Sequence, residues 1–171
     1  MTNHEIATDL WQTTSSRLWR TLTPEERAMA ATELVKDRSA LVRASVIAVV
    51  ADARKMRAVA ARKLPADAQA RIIASVRDPG EMLASSLLVA LHLGPRRTML
   101  ITFLDAVGLP HEDGLLKDES TEALSVDLLK KGCASISRES PGAVRAYLNT
   151  LWLQDPDRWA NAREVALAPG A

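Results

Sequence analysis

Several features that identify common protein classes are scarce in this sequence of 171 residues. Its single cysteine, Cys133, excludes an internal disulfide framework. No apolar run approaches the length needed to cross a bilayer. The first residues show neither the basic region nor the apolar region of a secretory signal peptide. We therefore expect a cytoplasmic protein that does not insert into a membrane.

Aromatic residues are also scarce, at 4% of the chain, whereas the apolar fraction reaches 47% and is dominated by alanine and leucine. Alanine and leucine favour helices, while strands are enriched in aromatic and β-branched residues. No segment alternates apolar and polar residues as a half-buried strand would. The composition predicts an all-α fold, with residues 1–171 forming a single helical domain long enough to build its own core.

Proline positions divide the chain into short helices. Proline fits the first turn of a helix because its ring fixes φ and its missing N–H would have no partner there. The sequence "TPEE" at residues 23–26 has the pattern of a capping box. Asp78 and Ser140 each precede a proline and are candidate helix caps.

Helix ends and apolar spacing complete this prediction. Gly94, Gly108 and Gly132 are candidate helix ends. Apolar residues recur at spacings of three and four between these marks, as on the buried face of a helix. The predicted helices cover residues 8–21, 24–37, 39–52, 54–63, 65–77, 79–93, 95–107, 120–132, 141–153 and 156–166.

Helix starts and apolar positions recur at an offset of 41 residues, which places Pro24 on Pro65 and Arg54 on Pro95. A period near 40 is typical of helical repeats that bury apolar faces against their neighbours. Over residues 22–108 the chain resembles HEAT and armadillo arrays. The resemblance implies a right-handed stack of about nine or ten short antiparallel helices, with repeat units 24–64 and 65–105 and C-terminal helices within 120–166. Any two helical segments with similar loop lengths would align in this way, so chance similarity is an equally open alternative.

Charge is unevenly distributed although the formal net charge is only +1. Residues 36–77 hold ten lysines and arginines and three aspartates, a net charge of +7, whereas residues 78–129 have a net charge of −6. One interpretation is a ridge at helix starts that binds nucleic acid or another polyanion. The interpretation that we favour is that the two segments neutralise each other or face solvent. The residues of the ridge would be Arg54, Lys55, Arg57, Arg62, Arg96 and Arg97.

The longest stretch without a helical pattern, residues 107–120, contains His111, Glu112 and Asp113. Long ordered loops often carry function, and these side chains together with His92 could form a ligand or metal site. Their spacing matches no metal motif, so we predict no metal and no cofactor. A solvated turn that bends at Asp113 and the following glycine is the interpretation that we favour.

The four tryptophans lie near the two ends of the chain. Tryptophan is enriched in binding hot spots, so they could form a protein interface. Core packing is the interpretation that we favour, because large exposed apolar patches are uncommon on monomers. The residues are Trp11, Trp19, Trp152 and Trp159.

The sequence contains no nucleophile elbow, phosphate loop, zinc motif or dinucleotide fingerprint. A repeat-like arrangement without catalytic motifs favours a non-catalytic module that binds another protein. Polyanion binding through residues 36–97 is the first alternative. A small-molecule or metal-binding enzyme that uses the loop at 107–120 is the second. The sequence does not indicate an oligomeric state.

Overall fold

The computed structural model describes residues 14–117, 120 and 122–166. These residues are mostly helical, with one two-stranded sheet, which confirms the all-α class. They divide into two compact units: Thr14–Pro95, here the N-terminal unit, and the described residues from Arg96 onward, here the C-terminal unit. Whether residues 1–171 form a single domain stays a prediction.

Short helices connected by tight turns form the N-terminal unit. Among them, α2 packs against both α5 and α6, α1 packs on α6, and α3 contacts α4, α5 and α6. The leucines of α6 that recur at spacings of three and four, Leu83, Leu87, Leu88 and Leu91, are all buried. The helices are α1 (Ser15–Thr21), α2 (Pro24–Leu34), α3 (Ala40–Ala53), α4 (Ala58–Arg62), α5 (Ala66–Ser75) and α6 (Glu81–Leu93).

The start of α1 is capped by a residue that is distant in sequence. The Glu81 carboxylate accepts hydrogen bonds from the backbone N–H groups of Ser15, at 2.6 Å, and Ser16, at 3.0 Å. The first N–H groups of a helix have no partner within the helix. Trp19 of α1 is fully buried, and its indole N–H donates to the backbone carbonyl of Val76 at 2.9 Å. Residues 76–81 therefore hold α1 in place.

The predicted helix caps are correct at two positions and wrong at a third. Thr23 and Glu26 form the capping box at the start of α2. The Ser140 hydroxyl caps the helix that begins at the next residue. Asp78 does not cap α6, because the chain continues in a non-helical conformation and the N-cap is Gly80. The Asp78 carboxylate instead accepts a hydrogen bond from the Gly80 N–H.

The C-terminal unit combines helices with a β-hairpin that the sequence pattern did not predict. The hairpin turns at Asp113 and Gly114, where the bend was expected, and both residues have positive φ as a tight hairpin turn requires. In this unit α7 packs on α8, and α10 contacts both α8 and α9. The elements are α7 (Arg97–Val107), β1 (His111–Glu112), β2 (Leu115–Leu116), α8 (Val126–Ser135), α9 (Pro141–Gln154) and α10 (Ala162–Ala166).

A group of aromatic rings forms the core of the C-terminal unit. Phe103 of α7 makes a T-shaped contact with Tyr147 at a centroid distance of 5.1 Å and a tilted contact with Trp159 at 6.1 Å. Gly132 does not end a helix as predicted but lies inside α8. A Cβ atom at Gly132 would lie 2.6 Å from Phe103 Cε2, so the glycine allows α8 to approach α7 closely.

Ser120 and residues 122–125, which precede α8, have no regular secondary structure, and the backbones of Ser120 and Leu124 are hydrogen-bonded to residues between α9 and α10. The Leu124 N–H donates to the Arg158 carbonyl at 3.1 Å, and Asn161 donates to the Leu124 carbonyl at 2.8 Å. The Arg158 guanidinium donates to the Ser120 carbonyl at 2.9 Å. These bonds provide the partners that buried backbone groups need outside helices and sheets.

In the part of the chain that the structure describes, no single helix has the length and apolarity needed to cross a membrane. The consecutive helices α6 and α7 reach those values only when they are counted together.

Candidate functional site

A cavity of about 350 Å³ lies at the surface of the N-terminal unit, between the end of α2, the first turns of α3 and the turn from α4 to α5. We call it the basic cavity. Ligand pockets of proteins start at roughly 300 Å³. Part of its wall is aliphatic, formed by Leu34, Val35, Val42, Val46, Ile47 and Leu64. Its charged residues are Lys36, Asp37, Arg38, Arg43 and Arg62.

The connection between α2 and α3 positions two of these charges. The Asp37 carboxylate accepts a hydrogen bond from the Ser39 N–H at 2.7 Å, a local turn that aspartate favours. Arg38 lies inside this turn, and Arg43 lies one turn into α3, where both line the cavity. The hydrogen bond therefore fixes the turn beside which both arginines line the cavity.

The connection between α4 and α5 positions the third arginine. Arg62 is the last residue of α4, whose final carbonyls have no partner within the helix. The Gln69 side-chain amide donates to the carbonyls of Ala61, at 3.2 Å, and Leu64, at 3.1 Å. Gln69 itself lines the cavity, so the same side chain closes this turn and fixes the backbone beside Arg62.

The charged residues that line the basic cavity, four bases and Asp37, have a net charge of +3. Arg38, Arg43 and Arg62 are exposed, and none of them forms an ion pair with a described residue. Lys36 is paired with Glu33 at 2.6 Å. The N-terminal unit as a whole holds thirteen lysines and arginines and eight acidic residues, a net charge of +5. A concave opening with an excess of positive charge concentrates negatively charged ligands.

The acidic residues that follow position 77 do not neutralise the basic cavity within the N-terminal unit. Two of them, Asp78 and Glu81, belong to the unit. The pKa of Asp78 is lowered by the hydrogen bond from the Gly80 N–H and by Arg20, with which it forms an ion pair. Glu81 caps α1. Within the described part of this unit, neither residue pairs with a base of residues 36–77.

The prediction that Arg54 and Lys55 mark a helix start is wrong. Arg54 is the C-cap of α3, and Lys55 follows with a φ of 51° and an ion pair to Asp52 at 3.0 Å. Arg57 is the N-cap of α4. Basic residues at a helix C-terminus interact favourably with its negative dipole end. This interaction explains the position of Arg54 and Lys55 without a ligand. Since α3 has 14 residues, Arg54 lies about 20 Å from the helix start, near which Arg38 and Arg43 lie.

The remaining residues of the predicted ridge, Arg62, Arg96 and Arg97, do not lie in the same unit. Arg62 lies in the basic cavity. Arg96 is the N-cap of α7 and Arg97 its first residue, within one or two positions of the predicted start, and both belong to the C-terminal unit.

The residues of the predicted loop site also fall in both units. His92 is buried in the N-terminal unit, whereas His111, Glu112 and Asp113 lie on the hairpin of the C-terminal unit. His111 Nδ1 accepts from the Gly114 N–H at 3.3 Å, so Nε2 carries the proton that faces the Asp105 carboxylate at 3.1 Å. The imidazole therefore links the turn of the hairpin to α7. Among residues 14–117, 120 and 122–166, no group of three or more histidine, cysteine, aspartate and glutamate side chains could hold a metal.

The tryptophans of the predicted interface lie mainly in the cores of their units. Trp19 and Trp159 are 0% and 1% exposed, so neither contributes to an exposed interface. Trp152 is half-buried on α9. Trp11 lies outside the described residues.

Sequence reasoning did not single out Lys36, Arg38 and Arg43 as site residues. They were counted in the basic segment, but a charge total does not show which residues share an opening. The available signal is the spacing of Arg38 and Arg43: the residue before the N-cap and the fourth residue of a helix often lie against each other.

No family model, no curated protein and no solved structure matches this chain.

Proposed function

We propose that the chain is a non-catalytic binding module that captures an acidic segment of another protein in the basic cavity. The observation that carries the proposal is the convergence of Arg38, Arg43 and Arg62, none ion-paired with a described residue, around an aliphatic wall. Arginine presents planar donors that match a carboxylate in bidentate geometry. The aliphatic wall offers a place for an apolar side chain of the same segment.

A protein segment fits this cavity better than a nucleic acid does. The lining residues include no aromatic side chain on which a base could stack. Arg54 and Arg57 lie at the other end of α3 instead of extending the positive surface from the cavity along that helix. The cavity therefore combines a compact charge cluster with aliphatic contacts, which suits carboxylates next to an apolar side chain.

Two matched variants test the proposal. Each replaces three exposed arginines of the N-terminal unit with glutamine, so both lower the net charge by the same amount. The cavity variant carries Arg38→Gln, Arg43→Gln and Arg62→Gln. The control variant carries Arg54→Gln, Arg57→Gln and Arg77→Gln.

Binding is measured by fluorescence polarisation at low salt, with a labelled peptide in which glutamates surround one leucine. The same peptide with glutamines and a labelled DNA duplex serve as comparison probes. Loss of three partly exposed charge pairs should weaken binding of the acidic peptide about tenfold in the cavity variant. The control variant should bind as the wild type does.

Three results would refute the proposal. One is no binding of the acidic peptide at low salt, where such attraction is strongest. Another is equal weakening in both variants, which would indicate general electrostatic attraction. The third is binding of the DNA duplex that is tighter than peptide binding and is lost in the cavity variant, which would assign the cavity to nucleic acid.

Two further parts of the proposal concern architecture and location. We propose that the module has solenoid character with a repeat of 41 residues and that it acts in the cytoplasm. The sequence offset supports the first part. Circular dichroism of truncated chains that end after residue 64 or 105 would test it, because repeat proteins lose stability in steps of whole units.

A further inference from the structure

A second cavity of about 400 Å³ lies between the exposed faces of α2 and α5. We call it the furrow. Its walls are formed mostly by small or short side chains: Ala28, Thr32 and Val35 from α2 and its end, and Ala66 and Ala70 from α5. Small residues on two adjacent helices leave room for the side chains of a third element to approach both backbones.

The furrow adjoins the basic cavity. Val35, Lys36 and Ala66 line both of them. The outer edge of the furrow carries the ion pair between Arg71 and Asp67, at 3.0 Å, so its local charge is balanced. The combined groove therefore has one strongly basic end and one end that is neutral and largely aliphatic.

This asymmetry limits what fits the groove. A uniformly acidic segment would leave the small apolar walls of the furrow exposed to water, and a uniformly apolar one would leave the three arginines without partners. An amphipathic acidic segment matches both ends at once, with carboxylates at the basic cavity and apolar side chains in the furrow.

We propose that the partner segment is acidic at one end and presents large apolar side chains, spaced as on one helix face, to the furrow. This inference rests on the proposed function and specifies the chemistry of the partner. Because only one end of the groove is basic, the acidic end of the segment lies there. This sets the direction in which the segment binds.

Two peptides separate this inference from the proposed function. The first is a short acidic peptide with glycine and alanine after its glutamates. The second carries leucines at helical spacing in those positions. The furrow variant, Ala28→Gln with Thr32→Gln, fills the furrow without changing a residue of the basic cavity. Its control, Ala44→Gln with Ala48→Gln, places the same side chains at the same spacing on an exposed part of α3 that lines neither cavity.

In the wild type and the control, the leucine peptide should bind about tenfold tighter than the glycine–alanine peptide. In the furrow variant this difference should disappear, while binding of the glycine–alanine peptide stays unchanged. Amide resonances of Ala28, Thr32 and Ala70 in the wild type should shift with the leucine peptide alone, a readout that needs no variant.

The possible failures are distinct. If both peptides bind the wild type equally, the furrow takes no part and this inference is overturned, while the proposed function stands. If neither peptide binds at low salt, both are overturned. If the leucine peptide binds tighter than the glycine–alanine peptide to both the furrow variant and the wild type, its leucines bind elsewhere. This result also overturns the inference.

Discussion

Replacing Glu81 with glutamine tests whether a carboxylate of α6 stabilises the start of α1. The two carboxylate oxygens accept hydrogen bonds from the N–H groups of Ser15 and Ser16, at 2.6 and 3.0 Å. Glutamine keeps one acceptor oxygen and loses the negative charge that lies at the positive end of the helix dipole. We expect the free energy of unfolding at neutral pH to decrease.

The size of the decrease follows from measured cap substitutions. Losing a side-chain cap costs about 0.5–2 kcal/mol. Solvent screens an exposed carboxylate, and Glu81 is an exposed residue. We therefore expect about 1 kcal/mol, which corresponds to a decrease in Tm of about 2–4 °C for a chain of this length.

The effect should depend on pH. Burial raises the pKa of Glu81, but the hydrogen bonds from Ser16 and Ser15 outweigh it, so the pKa lies below its ordinary value of 4.5. A carboxyl with a lowered pKa in the folded state stabilises that state above the ordinary pKa, and this contribution is lost as the pH falls through the folded-state pKa. Wild type and variant should therefore differ at pH 7, and the difference should shrink and then vanish as the pH falls below the ordinary value of 4.5 and through the folded-state pKa.

Urea unfolding followed by circular dichroism measures the difference at pH 7 and at low pH. Asp52→Asn is the control, since Asp52 is also an exposed acid of the N-terminal unit and is paired with Lys55 at the C-terminal end of α3. Its change should stay within about 0.5 kcal/mol. Equal midpoints for wild type and Glu81→Gln at pH 7, or a difference that persists at low pH, would refute the role of this carboxylate.

The C-terminal unit provides two further tests. Gly132→Ala should destabilise the protein by about 1–3 kcal/mol through overpacking against Phe103. The control Gly142→Ala should be neutral or stabilising, because its Cβ meets no atom within 4 Å. Thermal unfolding measures both, and a neutral Gly132→Ala would contradict the close approach of α8 to α7. Burial raises the pKa of the Cys133 thiol, so its alkylation at pH 8 should be slower than that of a free cysteine; an equal rate, measured by mass spectrometry, would show that the thiol is not shielded.

Helices whose ends depend on neighbouring residues could be predicted from the sequence. The capping box forms between Thr23 and Glu26, which are three residues apart. The buried face of α6 is visible in the spacing of its own leucines. Gly132 misled the prediction because glycine serves both as a helix end and as a site of close helix packing. Only the position of Phe103 on another helix distinguishes the two roles.

The candidate site was less predictable because it depends on two chain connections meeting, the one between α2 and α3 and the one between α4 and α5. The charge excess of residues 36–77 is visible in the sequence, and Arg62 belongs both to the predicted ridge and to the basic cavity. The alignment of Arg54 with Pro95 predicts a helix start, but α3 continues up to Arg54, so the residue ends a helix instead of starting one. Arg38 and Arg43 do not belong to the predicted ridge, because the charge excess alone does not show which bases meet at one cavity.

The capping of α1 by Glu81 also affects the order in which the protein folds. A helix of seven residues is too short to persist alone in water. Its partners, Val76 and Glu81, follow up to 66 residues later. Closing a loop of that length costs chain entropy before the contact forms, and distant contacts slow folding. On the ribosome, α1 therefore gains these partners only after the start of α6 has emerged, so its formation coincides with completion of the N-terminal unit.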